Sequence, residues 1–267
     1  MLLPLLSGAL LAFSATDSRT IRAAVEDSLR CSPGERRIEV GGGDPRPSYP
    51  SNERFEYSAY FRKLHVDVPV GSAELRLIGR DTVRGRAGWR ATLILEGGIP
   101  GARIHDTTIT WFDSVTFNSM RFVQNVHDPG YHANRDTHIF PEDKTYRTKD
   151  GEIHPSVADP LDDMSLVYLV RTLPLEPGQC YVLSRYFKPE SNPVVVHVVR
   201  RDTVDVPAGR FPAIMLRPEI KTKGIFSKDG HAELWLADDS ARTVLQLKTG
   251  LSFGSISLKL KHIGRNP

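Results

Sequence analysis

Residues 127–138 hold the densest set of chemistry-bearing side chains in the sequence: His127, Asp128, His132, Asp136 and His138 fall within a dozen positions. Imidazole nitrogen and carboxylate oxygen are zinc donors, so His127, His132, Asp136 and His138 are the candidate metal ligands. Their spacing does not put two donors on one helical face, as H-E-x-x-H does. Pro129-Gly130 marks a hairpin loop, where polar residues collect without any metal. Gly250-Leu251-Ser252-Phe253-Gly254 matches the G-x-S-x-G hydrolase elbow by letter. An elbow needs a strand before, a helix after, and an acid and a His downstream. Alternation resumes at Ser255 and no Asp or Glu follows Ser252, so a turn between two strands is expected. The adjacent pairs Asp162-Asp163 and Asp238-Asp239 do not suit a glycosidase, whose carboxyls stand about 5–10 Å apart across a cleft. They read as a helix cap and a turn. Glu53, Glu56, Glu74, Glu96 and Glu233 lie on strand-like runs and leave room for a distant pair. No Gly-rich phosphate loop follows a strand, no catalytic residue is assigned, and no cofactor is implied.

Arginines recur along both halves, as Arg62, Arg76, Arg80, Arg90, Arg103 and Arg121, then Arg185, Arg200, Arg201, Arg210 and Arg217. Their simplest role is to face solvent with the stems covering apolar surface. A few rimming a groove would pair with an anionic head group or a polysaccharide. The net charge of +3 is small and the basic residues are dispersed among acidic ones, unlike the clustered stripe of a nucleic-acid binder, so nucleic acid is not expected as a partner.

With 267 residues and 40% hydrophobic content, the chain can bury a sizeable core. Residues 1–14 open an uncharged apolar run of signal-peptide length, too short to span a bilayer, with small residues at Ala12 and Ser14 that suit cleavage. The absence of a leading Lys or Arg fits a start upstream of Met1; a buried N-terminal strand or helix is the alternative. Cys31 and Cys180 are the only thiols, and neither sits in a C-x-x-C pair. In an oxidising compartment they can pair and stabilise the fold by up to about 4–5 kcal/mol on the chain-entropy model; unpaired buried cysteines are the ordinary alternative.

Chemistry of any kind would depend on the elements that position these residues. Residues 17–30 carry Ile21, Ala24, Val25 and Leu29 at helical spacing, predicting an N-terminal amphipathic helix. The Gly- and Pro-rich stretch 41–51 then reads as a linker, so 15–51 is assigned to helix and linker and the folded domain to 52–267. Within that domain a period of two dominates. Ala73, Leu75 and Leu77 face away from Ser72, Glu74 and Arg76, and Ile256, Leu258 and Leu260 face away from Ser257, Lys259 and Lys261. Turn signals about 8–12 residues apart predict a mainly β fold: a curved antiparallel sheet, open barrel or sandwich of about 12 strands. Arg80-Asp81-Thr82-Val83 with Gly88 is echoed by Arg201-Asp202-Thr203-Val204 with Gly209, and Trp111 before a turn is echoed by Trp235. The echo predicts two related meanders packed about a pseudo-twofold. Between them lies one helix, expected to start at a capping Asp159 with Pro160 in its first turn. Apolar residues surround it, including Leu166, Tyr168, Leu169 and Val170, so it must be buried.

The segment 204–247, with its Val206-Pro207-Ala208-Gly209 turn and Trp235-Leu236-Ala237-Asp238-Asp239 turn, resembles the exported bacterial family DUF3108, a domain of unknown function. The resemblance runs over about 52–263; Thr243 departs from it where the family more often has Pro. It implies an exported β-rich domain and carries no catalytic residue. A curved sheet with an inner helix also looks like the lipoprotein carriers LolA and LolB, which hold acyl chains between barrel and helix. The leading expectation is therefore a non-enzymatic periplasmic or cell-envelope protein that binds a lipid, a lipid-linked saccharide or a lipoprotein segment in the concave face, with Trp111, Tyr168, Leu169 and Trp235 as the lining. Two alternatives stand beside it: an enzyme acting on envelope polysaccharide through the 127–138 cluster, and a scaffold whose sheet edges pair with an envelope protein partner.

Overall fold

Two-residue alternation makes strands, and in the computed structural model those strands join into one sheet. The structure describes residues 30–42, 52–63, 66–99, 102–128, 131–221, 232–251 and 254–265. The first half supplies β1 (Arg36–Glu39), β2 (Glu53–Lys63), β3 (Val66–Val83), β4 (Arg86–Ile99), β5 (Ala102–Phe112), β6 (Ser119–Asp128), β7 (Tyr131–Phe140), β8 (Thr145–Arg147) and β9 (Ile153–Pro155). A single α-helix among the described residues, α1 (Asp163–Val170), follows. The second half supplies β10 (Gln179–Leu183), β11 (Val194–Val206), β12 (Gly209–Glu219), β13 (Glu233–Ala237), β14 (Val244–Leu251) and β15 (Gly254–Arg265).

The order across the 15-stranded sheet is β1-β10-β11-β12-β13-β14-β15-β2-β3-β4-β5-β6-β7-β8-β9. All pairs are antiparallel except β1 with β10. The mainly β fold is as the alternation predicts, with two corrections. The halves do not pack against each other as separate units; β15 pairs with β2 along Leu258↔Ala59 and Leu260↔Tyr57, making them one continuous sheet. The folded domain also begins before residue 52, because β1 adds to β10 through Arg36↔Gln179 and Ile38↔Tyr181. The predicted helix at 17–30, apart from Arg30, and almost all of the predicted linker lie outside the described residues.

The internal echo has a structural counterpart. Register shifts fall at the start of one R-D-T-V run, between Ile78 and Asp81, and just before the other, between Val198 and Arg200. They recur beside each tryptophan, at Trp111/Phe112 and Trp235/Leu236. Bulges bend a strand and increase its twist, so these matched positions curl the two halves alike.

Alternation sorts the side chains by face. Phe55, Tyr57, Leu75, Leu77, Ala91, Phe112, Leu234, Leu236 and Leu260 point inward and are nearly or fully buried. The helix lies on this inner face. Tyr168 stacks on Phe112 with ring centroids 5.5 Å apart, and Arg171 lies over Phe55 at 5.8 Å. The helix thus crosses from β5 to β2. Six of its eight residues are buried, at roughly 1.5–3 kcal/mol for each large apolar side chain. Its N-cap is Asp162, not the expected Asp159. The Asp162 carboxylate accepts from Met164 N at 2.9 Å and Ser165 N at 3.0 Å, while Ser165 Oγ accepts from Asp162 N at 2.9 Å. Asp159 instead takes a left-handed turn (φ 53°), which a short polar side chain tolerates.

Candidate functional site

The 127–138 segment forms two paired strands rather than a loop. His127 is directly opposite His132 at the exposed end of the β6–β7 hairpin, with ring centroids 5.4 Å apart. Asp136 and His138 lie nearer the middle of β7, opposite Val123 and Arg121. Both Asp136 oxygens accept from Arg121, at 2.9 and 2.6 Å, and that guanidinium holds the Asp136 carboxyl below its usual range. His138 Nδ1 is 3.5 Å from Arg84, and partial burial lowers its pKa. The four donors do not converge. His127, His132, Asp136 and His138 are therefore corrected from one set of metal ligands to two separate pairs, His127 with His132 and Asp136 with His138, whose Nε2 lies 3.6 Å from Asp136 Oδ1.

The other candidates are similarly engaged. Leu251 pairs with Gly254, so the G-x-S-x-G stretch is a hairpin connection, and Ser252 and Phe253 lie outside the described residues. Asp239 Oδ1 accepts from Ala241 N and Arg242 N, both at 3.0 Å, as a turn residue does. Glu53 forms a bidentate pair with Arg171 at 2.8 Å for each contact. Glu56 and Glu74 stand opposite one another on the outer face, both held by Arg54, at 2.9 and 2.7 Å. With Arg76, Glu96 and Lys261 they line a surface cleft of about 440 Å³. Glu233 is tied to Lys248 at 2.7 Å and Trp235 Nε1 at 3.1 Å. No pair of these carboxylates is left facing across an apolar cleft.

The four expected lining residues separate. Tyr168 and Leu169 are fully buried in the core. Trp111 is adjacent to Phe112 on its strand, and Trp235 lies between the inward Leu234 and Leu236, so both tryptophans point to the outer face. An arginine covers each: Arg121 lies 5.0 Å from Trp111 and Arg200 lies 5.0 Å from Trp235. Such stacking is a cation–π contact; the ring beneath it is half-buried at Trp111 and, at 6% exposed, buried at Trp235. The expected lining is therefore corrected as well.

What the sequence reading missed is a trough at the other end of the inner face. The helix packs beside Phe55 and Phe112, at one end of β2 and β5. From Phe55 to the last residue of β2, Lys63, the strand continues for about 25 Å. The tips of β2–β3, β4–β5, β6–β7 and β14–β15 all lie at that end. Pairing and alternation assign Val68, Leu93, Leu95, Ile104, Leu247 and Ile256 to the inner face there. Leu93, Leu95 and Leu247 are only partly buried against the core, and Val68 is 47% exposed. Gly71 faces Gly97 on the trough floor, where a Cβ on Gly71 would fall 2.1 Å from Glu96 O. The close backbone approach excludes a side chain at either glycine. Across β5–β7 the same face turns polar, with Thr108, Asp106, Gln124 and Arg135; Arg135 reaches Gln124 Oε1 at 3.4 Å. A period-two reading finds the inward residues, but only the sheet order shows that they lie beyond the helix.

Cys31 and Cys180 form a disulfide, with Cα atoms 5.6 Å apart, tying the segment before β1 to β10.

A family model described as a protein of unknown function, DUF3108, matches residues 56–261. No curated protein matches the chain. Among solved structures, a β-barrel-like protein of the domain of unknown function DUF1849 from Brucella abortus is similar, at 10% identity and TM-score 0.54. The match covers 83% of this chain and 100% of that one. At that identity the likeness is one of fold. A protein proposed to be exported, with a YmcC-like fold, from Bacteroides fragilis matches at 12% identity and TM-score 0.32, over 84% of this chain and 100% of that one. A proposed lipoprotein from Parabacteroides distasonis matches at 8% identity and TM-score 0.33, over 83% of this chain and 100% of that one. At such TM-scores neither bears on function.

Proposed function

The chain belongs to the DUF3108 family, and from that premise we propose that it is a non-enzymatic carrier that holds an amphiphile, a lipid or lipid-linked saccharide, in the open half of its inner face. The observation that carries this reading is the two-sided trough. Val68, Leu93, Leu95, Leu247 and Ile256 offer a half-exposed apolar wall, and Thr108, Gln124 and Arg135 a polar one. An acyl chain would lie along the first and its head group against the second. Concave apolar surface with a few convergent polar groups is where small molecules bind. A cell-envelope location is part of the proposal; the Cys31–Cys180 cross-link, of a kind that persists in oxidising compartments, supports it.

The test is native mass spectrometry of protein isolated from a periplasmic extract, followed by solvent extraction. The expected result is a mass excess matching an amphiphile, lost in a Val68→Asp/Leu95→Asp variant of unchanged circular dichroism. Tyr168→Asp is unsuited, since it would put a carboxylate in the closed core. A wild-type chain of bare mass that also fails to take up a fluorescent fatty acid would sink the proposal.

A further inference from the structure

The disulfide sits among side chains that a plain cross-link does not need. Cys180 on β10 is directly opposite His197 on β11, so the two share a face. His197 is 1% exposed, and its Nδ1 lies 2.9 Å from Glu35 Oε1 and 2.7 Å from Oε2. Ser32 N donates to Glu35 Oε2 at 2.7 Å. Held from both sides, the Glu35 carboxylate stands beside the sulfurs. One of its oxygens and the two Sγ atoms lie within 4.8 Å of one another, which no other triple of His, Cys, Asp or Glu donors among the described residues does. His197 Nε2 is buried without a hydrogen-bond partner, its nearest carboxylate being Glu219 at 3.7 Å.

We propose that this is a redox-gated metal site: when a dithiol reduces the disulfide, the Cys31 and Cys180 thiolates and the Glu35 carboxylate bind a divalent cation of the zinc class. The dithiol supplies two electrons and two protons and leaves as its own disulfide. The S–S bond breaks to two thiols, and the cation then displaces both thiol protons to solvent. Zinc takes sulfur and carboxylate oxygen in tetrahedral geometry, so three protein donors leave the fourth position to water. At Zn–S distances of about 2.3 Å the sulfurs separate to about 3.8 Å. Cys180 is fixed in the sheet at 0% exposure, so Cys31, half-buried on a segment outside the strands, makes the adjustment and gives the cation its path. His197 is a positioning residue. Its Nδ1 orients Glu35, as hydrogen bonds from outside the ligand set orient metal-bound carboxylates elsewhere. Both states keep residues 31–35 on the sheet, by a covalent bond in one and a metal bridge in the other.

The test reduces the full chain with a phosphine, removes the reductant without oxygen and titrates with Co²⁺. The expected result is one equivalent bound, with a thiolate-to-cobalt charge-transfer band and the intense visible bands of a tetrahedral ion, both bleached by Zn²⁺. The oxidised chain should show neither. Cys180→Ser should abolish the charge-transfer band. His197→Gln should weaken binding about 10–100-fold with the band retained. Glu35→Gln, which leaves the disulfide able to form, should weaken binding and shift the visible bands. The proposal is overturned if the reduced chain gives no charge-transfer band, if it loses its β-sheet circular dichroism on reduction, or if Glu35→Gln binds Co²⁺ with unchanged affinity and spectrum.

Discussion

Arg171, the residue that ends the helix, is a buried charge that ties three distant parts of the chain together. Its guanidinium side chain is 0% exposed and meets Glu53 on β2 through two contacts of 2.8 Å. It also donates to the carbonyls of Arg242 at 2.9 Å and Ala241 at 3.0 Å. One cation thereby joins the helix, β2 and the β13–β14 turn. Removing one member of a buried pair strands the other charge, at about 3–5 kcal/mol. Arg171→Met is expected to lower the urea unfolding free energy by that amount, and adding Glu53→Gln should recover part of it. A loss below about 1 kcal/mol for the single variant would contradict this reading. The sequence hid the pair for a plain reason. Glu53 and Arg171 are 118 positions apart, each looks like an ordinary surface charge, and only the topology brings them together. Asp162 was legible with Asp163 as a capping pair but not as the N-cap itself, because Asp159-Pro160 offers an equally good local signal.

At the scale of elements, strands were the most legible part of the chain. Alternation from Ala73 to Leu77 and from Ile256 to Leu260 survives as inward and outward faces of β3 and β15, because a one-residue slip would invert every contact. The short β1 escaped, since Arg-Arg-Ile-Glu has no apolar alternation and joins the sheet through its backbone. The helix was legible from apolar residues on all sides, and its buried start has a pH consequence. The half-buried Asp163 carboxyl is pushed up to about 6, first by desolvation and then by the charge of Asp162, while a hydrogen bond from Tyr186 Oη at 3.0 Å opposes the shift. The folded pKa is above the unfolded one, so the native state binds the extra proton in between. Its contribution to stability is fully present below about pH 4 and lost as the pH rises past about 6. Asp163→Asn keeps an acceptor for Tyr186 and removes the titration. The expected outcome is a smaller fall in urea midpoint between pH 4 and pH 7 than in the wild type; an equal fall would refute the assignment.

For the whole molecule, the open question in the sequence was how so wide a sheet disposes of its ends. One answer would be strand pairing of first with last, but β1 and β9 are not neighbours. The gap is spanned by the segment that follows β10. Leu161 bridges to Tyr186, Phe187 packs edge-on against Tyr146 of β8 at 5.2 Å, and Ser156 Oγ donates to Phe187 O at 2.7 Å. Arg185, only 4% exposed, fastens this seam by donating to Asp159 O, Gly41 O, Thr116 O and Asn118 Oδ1 at 2.8–3.1 Å. Nothing in the sequence distinguishes this arginine from its ten neighbours in the two series, because each of its acceptors is a backbone or loop atom with no signature of its own. The seam sits at the end of the sheet that holds the helix, whereas the trough opens at the hairpin tips. Closure and the trough are therefore separable. Arg185→Met leaves four acceptors without their charged donor, and hydrogen bonds to charged groups contribute about 1.5–3 kcal/mol each when buried. Amide exchange should quicken at 113–119 and 156–161 while the protected cores of β3 and β4 change little, and any amphiphile held in the trough should stay bound under native conditions. If exchange instead rises uniformly across the sheet, the seam and the strands form one cooperative unit and the closure is not a separate device.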